Sequence, residues 1–412
     1  MKVIRTGSDF SGVGAFDYAM NRVISQMENT QHKRVYACDW DKFARKSYIT
    51  THGEPEYYPN DVYEREIPSE PLDVYMTSPP CQAFSIAGKR QGKDDERGIL
   101  FFNSHEFIQV NKPRFFIFEN VKGLLSDDKH DKHGRTFREW LNMLGGKSVN
   151  GVPVIFPQDN AVPYHIYWCV LNSKEHGVPQ NRERVFIVGI RDDEDNSFSW
   201  PKTEPLTKRL KDILESEVHP KYFLSEKAVR RLCFNDSGFT SDLKDESDVA
   251  STLRAVDYKI SRGMNCIKVV GNTNPSGNGM NGNVFDSEGI SPTLSTNKGE
   301  GIKVLRRERT EEQKAERRKT GTNSFTGKKL RFVEAETSPT LTTLSQDKEK
   351  IIKHGYDIRR LTPLECFRLQ DFPDSHVEKC KAAGVSDSQL YKQAGNSITV
   401  RVLEKIIEKL PL

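Results

Sequence analysis

The chain has 412 residues, a formal net charge of +4 and an apolar fraction of 35%. A chain of this length is expected to form two or more domains whose cores need no disulfide bonds or metal ions to hold them together. The small net charge does not indicate one class of partner, and no stretch approaches the roughly 18 apolar residues that a membrane helix needs.

The seven cysteines are dispersed along the chain, and neither a CxxC pair nor a pair of histidines at zinc-ligand spacing accompanies them. This pattern predicts reduced thiols in a cytoplasmic protein and no metal site. The first residues, MKVIRTGSDF, contain no apolar signal region, which agrees with a cytoplasmic location.

The first 190 residues alternate strand signals with helix signals. KVIRTGSDF predicts a strand, SGVG a tight turn, and AFDYAMNRVISQM a helix with one apolar face. RVYACDW predicts the second strand, and DKFARKSYITTHG predicts a helix that ends at Gly53. The unit strand–turn–helix–strand is typical of α/β proteins.

Four further apolar runs, rich in β-branched and aromatic residues, predict buried strands: LDVYMTS, RFFIFENV, YHIYWCVLNS and ERVFIVGIR. Their alternation with helices predicts a doubly wound, mostly parallel α/β sheet, in which ligands bind at the carboxyl ends of the strands. The unusual residues follow predicted strands and therefore predict one shared crevice; they are Asp9 to Gly14, Asp39 and Trp40, Pro79 to Gln82, and Glu119 with Asn120.

The composition changes near residue 192 to a polar, loop-forming texture with NTNPSGNGMNGN at its centre. Lys and Arg outnumber acidic residues between Ile302 and Arg331. Two interpretations of this basic segment stay open, a solvated helix with ion pairs and a surface that contacts phosphates.

Three segments of this region resemble one another, and each predicts a β-hairpin that starts at a Thr-Leu pair. Chance similarity of short β sequences is the alternative.

Clear helix signals resume at RRLTPLECFRLQ, where Thr362, Pro363 and Glu365 predict a capping box at a helix start. The amphipathic tail SITVRVLEKIIEKL is predicted to pack back on the first domain.

The glycine turn DFSGVGAF indicates a nucleoside site. Asp17 stands where a dinucleotide fingerprint needs its third glycine, which disfavours a nicotinamide cofactor and an oxidoreductase. Asp39 follows the second strand, where a carboxylate can accept hydrogen bonds from ribose hydroxyls. Trp40 offers a flat face for a purine, although an ordinary core tryptophan explains the residue equally well.

The stretch SPPCQAFSIAG makes Cys81 the candidate nucleophile, because two prolines fix the backbone directly before the thiol. Nucleophilic attack needs the thiolate, which positive charge stabilises. Glu119 ends a buried strand, and Arg182 and Arg184 are predicted to lie on the same side of another. These residues suit covalent catalysis; a structural salt bridge between Glu119 and an arginine is the alternative.

Taken in order behind DFSGVG, the motifs PCQ, ENV, QxRxR and GNS resemble those of the DNA cytosine-5 methyltransferases. The resemblance extends over PPCQAFSIAGKRQG, FIFENVKG, QNRERVFIVG and RRLTPLECFRLQDFPD, and it covers roughly residues 1–191 and 356–412. Each motif alone is common, but the whole ordered series is specific.

The resemblance implies an S-adenosylmethionine-dependent methyltransferase fold, with a Rossmann-like sheet in residues 1–191 plus 356–412 and a target-recognition domain of hairpins and loops in residues 192–355. It implies that Cys81 adds to carbon 6 of a flipped-out cytosine, that Glu119 holds ring nitrogen 3, and that Arg184, supported by Arg182, steadies the base. Extrusion of the base from double-stranded DNA costs about a few kcal/mol.

The resemblance also assigns binding residues. Those expected at the cofactor are Phe10, Gly12, Gly14, Asp39, Trp40, Asp61, Val62, Pro80, Leu100 and Asn396. Those expected at DNA are Gln82, the ends Ser85 and Arg97 of a lid over the base, the pairs Thr252-Leu253, Thr293-Leu294 and Thr340-Leu341, and Arg317 and Arg318. The predicted partner is double-stranded DNA, bound by a monomer in a bacterial cytoplasm, and a separate cognate restriction endonuclease is left open.

Two rival functions are less consistent with the sequence. A tRNA cytosine-5 methyltransferase of the same fold would carry a Cys-Phe-Thr motif in a short recognition region, and this chain has no such motif and a long middle region. A catalytically silent DNA-binding homologue would have lost the cysteine, the glutamate or the cofactor motif, and all three are present.

Overall fold

The structure, a computed structural model, describes residues 1–80, 100–126, 135–223 and 358–412, together with four short strands at 243–244, 266–268, 305–307 and 330–332. The chain divides into two compact units. One comprises Met1–Thr207 with Phe367–Leu412, and the other comprises Lys208–Cys366. The assignment of residues 192–355 to target recognition stays a prediction.

The first unit is built on a mixed sheet whose strand order is β2-β1-β3-β4-β8-β7-β5-β6. Its strands are β1 (Lys2–Asp9), β2 (Thr30–Cys38), β3 (Val74–Thr77), β4 (Phe115–Val121), β5 (Ser148–Val149), β6 (Val152–Pro153), β7 (Tyr164–Asn172) and β8 (Glu183–Arg191). Strands β1 to β4 are parallel to one another, and β8 is antiparallel to β4. The predicted α/β sheet is therefore confirmed, with β8 and β6 running against the others.

The described helices are α1 (Ala15–Ile24), α2 (Lys42–His52), α3 (Leu100–Asn111), α4 (Arg135–Leu144), α5 (Pro363–Arg368), α6 (Asp374–Ala382), α7 (Asp387–Asn396) and α8 (Val400–Ile407). Helix α2 begins after Asp41, whose carboxylate accepts the N–H groups of Phe43 and Ala44, and it ends at Gly53 as predicted. Helix α8 packs against α1, and Arg22 donates to Glu404 at 3.1 Å. The predicted return of the tail is confirmed.

Aromatic side chains fill the layer between the sheet and helices α3 and α4. The ring of Tyr75 stacks on Phe107 with centroids 4.1 Å apart, and Phe101 stacks on Trp140 at 4.2 Å. Each buried aromatic side chain contributes a large apolar area, and stacked pairs add about 0.5–1.5 kcal/mol each. This packing fixes α3 on strands β3 and β4.

In the second unit the described strands are β9 (Leu243–Lys244), β10 (Cys266–Lys268), β11 (Leu305–Arg307), β12 (Leu330–Phe332) and β13 (Ile358–Arg360). Strand β10 pairs with β9 and β13, and β11 pairs with β12. The predicted capping box of α5 is confirmed, because Glu365 accepts from the N–H of Thr362 at 2.8 Å and Thr362 Oγ1 accepts from the N–H of Glu365 at 3.2 Å.

Within the described part of the chain, no helix has both the length and the apolar character of a membrane span. The same residues contain no group of three His, Cys, Asp or Glu side chains arranged to hold a metal ion.

Candidate active site

The carboxyl ends of four neighbouring strands lie at one edge of the sheet. Asp9 of β1 pairs in register with Cys38 of β2 and with Thr77 of β3, and Thr77 pairs with Phe118 of β4. The residues that follow these strands therefore meet at that edge, as the sequence predicted. Phe10, Asp39 and Pro80 come directly or soon after the ends of their strands, and Glu119 lies among the last residues of β4.

Glu119 lies near the end of β4 and forms an ion pair with Arg184 of β8. The two strands are antiparallel neighbours, and the distance from Arg184 Nε to Glu119 Oε1 is 3.0 Å. The side chains of Glu119 and Arg184 are 9% and 16% exposed. Burial raises the pKa of Glu119, and the positive charges of Arg184 and Arg182 oppose that rise.

A raised pKa gives this carboxyl group access to its protonated form nearer to neutral pH. The protonated form can donate a hydrogen bond with one oxygen and accept one with the other, while Arg184 keeps the group oriented. A carboxyl group with those properties, at the carboxyl edge of an α/β sheet, suits the recognition of a heterocycle that presents an acceptor beside an amine.

The residue after Glu119 links β4 to the chain segment that leads to Cys81. The side-chain amide of Asn120 donates to the carbonyl of Pro79 at 3.3 Å. At the last residue of β3, Thr77 Oγ1 shares a hydrogen bond of 2.6 Å with Ser104 Oγ of α3. The described backbone ends at Pro80, which is exposed, so Cys81 itself lies outside the described residues.

Arg182 occupies a different environment from Arg184. Strand β8 begins at Glu183, directly after Arg182, and both arginines line the same small cavity, which agrees with their predicted shared face. Its guanidinium is buried and donates to the carbonyls of Gly395, at 3.1 Å, and Ser397, at 2.6 Å. Burial lowers the pKa of Arg182. The side chain thus holds the backbone on both sides of residue 396.

Asn172 holds the backbone beside Arg182. Its side-chain oxygen accepts the N–H of Arg182 at 3.1 Å, and its amide donates to Asn181 at 2.7 Å. The sequence placed Asn120 in the predicted crevice beside Glu119, whereas Asn172 was not singled out. The only signal for either was its position at the end of a predicted strand, where an amide side chain can satisfy loop backbone groups.

The glycine turn after β1 has a left-handed backbone. The φ angles are 55° at Phe10, 56° at Gly12 and 81° at Gly14. The N–H of Gly12 donates to Asp39 Oδ2 at 2.8 Å, and the N–H of Asp41 donates to Asp39 Oδ1 at 2.8 Å. Burial raises the pKa of Asp39. The carboxylate therefore joins the glycine turn to the end of β2.

The predicted cofactor residues differ in exposure. Trp40 is 84% exposed, so it is not a core residue, and Pro80 and Asn396 are also exposed. Those that are half-buried are Phe10, Gly12, Asp39, Asp61 and Leu100, and those that are buried are Gly14 and Val62. An exposed indole ring beside a carboxylate and a glycine turn suits the stacking of a flat ring.

The predicted DNA-contacting residues belong to parts of the chain that the structure does not describe. Those outside the described residues are Gln82, Ser85, Arg97, Thr252, Leu253, Thr293, Leu294, Arg317, Arg318, Thr340 and Leu341. Their roles, and the predicted hairpins and lid that contain them, stay predictions.

Comparison with protein families gives one match along almost the whole chain. The model of the family described as C-5 cytosine-specific DNA methylase matches residues 4–411. Among curated proteins, an orphan methyltransferase of Bacillus phage SPR, M.SPRI, is 35% identical over 100% of this chain and 98% of its own length. The type II methyltransferase M.HpaII of Haemophilus parainfluenzae is 31% identical over 97% of this chain and 88% of its own length.

Comparison with solved structures supports the same architecture. The methyltransferase EhMeth of Entamoeba histolytica superposes with a TM-score of 0.62 and 16% identity, over 99% of this chain and 98% of that one. At that identity the likeness concerns the fold, and it agrees with the strand order of the sheet described above.

Proposed function

Since the chain belongs to the C-5 cytosine-specific DNA methylase family, we propose that it methylates a flipped-out cytosine through Cys81, Glu119 and Arg184. The enzyme class is DNA (cytosine-5-)-methyltransferase, and its substrate is DNA.

Glu119 binds the edge of the target base. Carbon 5 of cytosine is a weak nucleophile until carbon 6 has accepted electron density from a second nucleophile. A protonated Glu119 donates to ring nitrogen 3 and accepts from the exocyclic amine, which withdraws electrons from the ring and promotes addition at carbon 6. Its raised pKa supports this role, and Arg184 fixes the orientation of the carboxyl group.

Cys81 supplies the electrons. Its thiolate forms a bond to carbon 6, and the electron pair displaced within the ring makes carbon 5 nucleophilic. Carbon 5 takes up a methyl group; loss of the proton from carbon 5 to a base then returns the electrons to the ring and breaks the bond to sulfur. The rigid Pro79–Pro80 segment and its hydrogen bond from Asn120 support a fixed direction of approach.

The family uses S-adenosylmethionine, and the residues of this chain fit that group. S-adenosylmethionine, when bound, supplies the methyl group. The exposed indole of Trp40 offers a face to the adenine ring, and the turn at Phe10 and Gly12 leaves the backbone open to close approach. Asp39, whose oxygens also hold the turn, offers its remaining acceptor capacity to the ribose hydroxyls.

Arg182 acts on this site as a positioning residue. It holds the carbonyls of Gly395 and Ser397, and the side chain of Asn396 between them is exposed. Because Arg182 and Arg184 are two positions apart, the turn around Asn396 and the ion pair with Glu119 are connected through a short piece of backbone.

The remaining parts of the proposal rest on the family resemblance. Residues 192–355 are proposed to read a short sequence in double-stranded DNA, and the basic segment around Arg317 and Arg318 to contact phosphates. A monomer acting in the cytoplasm, with or without a cognate endonuclease, stays a prediction.

The observation that carries the proposal is the buried Glu119–Arg184 ion pair at the sheet edge to which Asn120 ties the backbone before Cys81. The test is bisulfite sequencing of genomic DNA from cells that express the chain, beside cells that express Cys81→Ser. We expect protected cytosines within one short motif for the natural chain and none for the variant. Protection that persists in the variant would overturn the role of Cys81, and an unmodified genome in both would direct the search to RNA substrates.

A further inference from the structure

A carboxylate at the end of β1 is the centre of a buried polar cluster that the mechanism above does not use. Asp9 is 1% exposed. One of its oxygens accepts a hydrogen bond from the Tyr36 hydroxyl, and the other accepts from the Tyr75 hydroxyl at 2.6 Å and lies 3.1 Å from Arg65 Nη2. We refer to Asp9, Tyr36, Arg65 and Tyr75 as the Asp9 cluster.

Arg65 extends the cluster to two further parts of the chain. Its Nη1 donates to the carbonyl of Val62, and its Nη2 donates to the carbonyl of Asn103 at 2.7 Å. The side chain of Arg65 is 1% exposed, and its guanidinium lies 5.6 Å from the ring centroid of Phe107. The guanidinium therefore fastens the loop at residue 62 and helix α3 to the end of β1.

The members of the cluster lie close in sequence to the proposed cofactor residues. Each partner belongs to a segment that contains a proposed cofactor residue a few positions away. These pairs are Asp9 with Phe10, Tyr36 with Asp39 and Trp40, Tyr75 with Pro80, Arg65 with Asp61 and Val62, and Asn103 with Leu100. Five otherwise separate segments thus meet through Asp9 and Arg65.

We propose that the Asp9 cluster positions the cofactor site, by setting the relative placement of the five segments whose ends hold S-adenosylmethionine. The inference rests on the proposed function, because it takes the cofactor residues from it. Asp9 and Arg65 are positioning residues, since neither needs to touch the cofactor to set the spacing of Phe10, Val62 and Leu100.

The physical reason lies in the directionality of the contacts. Apolar packing at this point would tolerate small shifts between segments, whereas a buried carboxylate must keep its donors within hydrogen-bond distance to offset its desolvation. Burial raises the pKa of Asp9, and Arg65 and the two tyrosine hydroxyls oppose the rise. The cluster therefore holds its geometry only while all its partners are in place.

Two variants test the proposal, and the first removes more of the cluster's contacts than the second. Asp9→Asn removes the charge, and Tyr75→Phe removes one hydroxyl while the ring keeps its stack on Phe107. The matched control is Arg114→Met, because Arg114 pairs with Asp73 and Glu194 at the opposite, amino-terminal end of β3 and β4. Titration calorimetry with S-adenosylmethionine gives Kd for each full-length protein below its unfolding temperature, and turnover at saturating cofactor and DNA gives kcat.

We expect Kd to rise about tenfold for Asp9→Asn, which corresponds to about 1.4 kcal/mol, and by a smaller factor for Tyr75→Phe. The control should lower the melting temperature and leave Kd unchanged. In a chain that already carries Arg65→Met, Asp9→Asn should raise Kd by a smaller factor than it does in the natural chain, because the two residues act through one contact.

A purely structural role would lower the melting temperature of the Asp9 and Tyr75 variants to a similar extent as the control and leave Kd unchanged in all of them. That result would overturn the inference and leave the proposed function intact. If the natural chain itself does not bind S-adenosylmethionine, the proposed function fails first, so the two failures are distinguishable.

Discussion

Two buried carboxylate–arginine pairs lie at the same edge of one sheet, and they differ in how completely the carboxylate is satisfied. Asp9 receives hydrogen bonds from two tyrosine hydroxyls in addition to its ion pair with Arg65. Glu119 forms its ion pair with Arg184 at 3.0 Å. The chemistry of the two pairs is alike, and their surroundings are not.

The difference separates a carboxylate that fixes the protein from one that is available to a substrate. With its donors in place, Asp9 has little capacity left and can only hold neighbouring segments together. Glu119 keeps acceptor capacity, and in its protonated form donor capacity, at the end of β4. Loss of the first should disturb binding and stability, whereas loss of the second should disturb catalysis.

The largest expected effect is that of Glu119→Gln. The amide keeps the size of the side chain and can still donate to ring nitrogen 3, but it cannot transfer a proton and it loses the ion pair with Arg184. We expect kcat to fall by roughly 10²–10⁴, the range for removal of a general acid. The affinity for S-adenosylmethionine should stay within about twofold.

The matched control is Glu183→Gln on the same strand as Arg184. Glu183 is paired with Lys122 at 2.8 Å, and both side chains are about half exposed. An exposed pair contributes about 0–1 kcal/mol, so kcat should hardly change. Equal losses for the two variants in a methyl-transfer assay would remove the distinction between the two pairs.

Arg182→Met should affect the cofactor more than the base. The change removes two hydrogen bonds from a buried cation to the carbonyls of Gly395 and Ser397 and costs about 3 kcal/mol of unfolding free energy, at about 1.5 kcal/mol each. The KM for S-adenosylmethionine should rise by about tenfold or more, and kcat at saturation should fall less. Urea unfolding and cofactor-dependence of the rate measure both quantities; a large loss of kcat with an unchanged KM would assign Arg182 to the base instead.

Gly14→Ala tests whether the glycine turn is shaped by packing or only by its backbone angle. A Cβ atom at Gly14 would lie 2.3 Å from His52 Nε2, and the φ angle is 81°. The control is Gly151→Ala, where φ is 79° and nothing lies within 4 Å of the new atom. Left-handed strain costs about 1–2 kcal/mol at either site, and overpacking should add about 1–3 kcal/mol at Gly14 only. Thermal unfolding of both variants gives the difference; similar losses would show that the His52 ring moves aside freely.

The smallest effect concerns buried histidines in the helical layer. Burial lowers the pKa of His52 and His376 to about 3 from an ordinary value of 6.5. Between these values the unfolded chain binds more protons than the folded one, so the free energy of unfolding falls as the pH falls from about 6.5 toward 3. Asp17, whose pKa burial raises to about 6, opposes this trend between pH 6 and 3.8.

His376→Gln isolates one of these contributions. The histidine lies 3.2 Å from the Tyr18 hydroxyl and 3.8 Å from Cys380 Sγ, contacts that an amide can replace in part. The slope of unfolding free energy against pH between 6 and 4 should decrease by about 1 kcal/mol per pH unit. Urea titrations at three pH values measure it, and an unchanged slope would mean that His376 titrates normally in the folded state.

Much of the described fold could be predicted because its signals are local. The capping box at Thr362 and Glu365, the helix end at Gly53 and the apolar face of α8 each depend on residues within a few positions of one another. The direction of β8 could not be read in the same way. An apolar run such as ERVFIVGIR is equally compatible with either direction, which its pairing with β4 decides.

The sequence by itself determined the α/β class, the order of the motifs and the identity of Cys81, Glu119 and Arg184 as candidates, because residue type and spacing along the chain carry that information. Only the tertiary structure decided that Arg182 holds Gly395 and Ser397, and that Tyr36, Arg65 and Tyr75 meet at Asp9. Partners of this kind are separated by tens to hundreds of positions, and no local pattern relates them. They meet because parallel strands bring their carboxyl ends to one edge, where a buried charge is stable only among donors drawn from several segments.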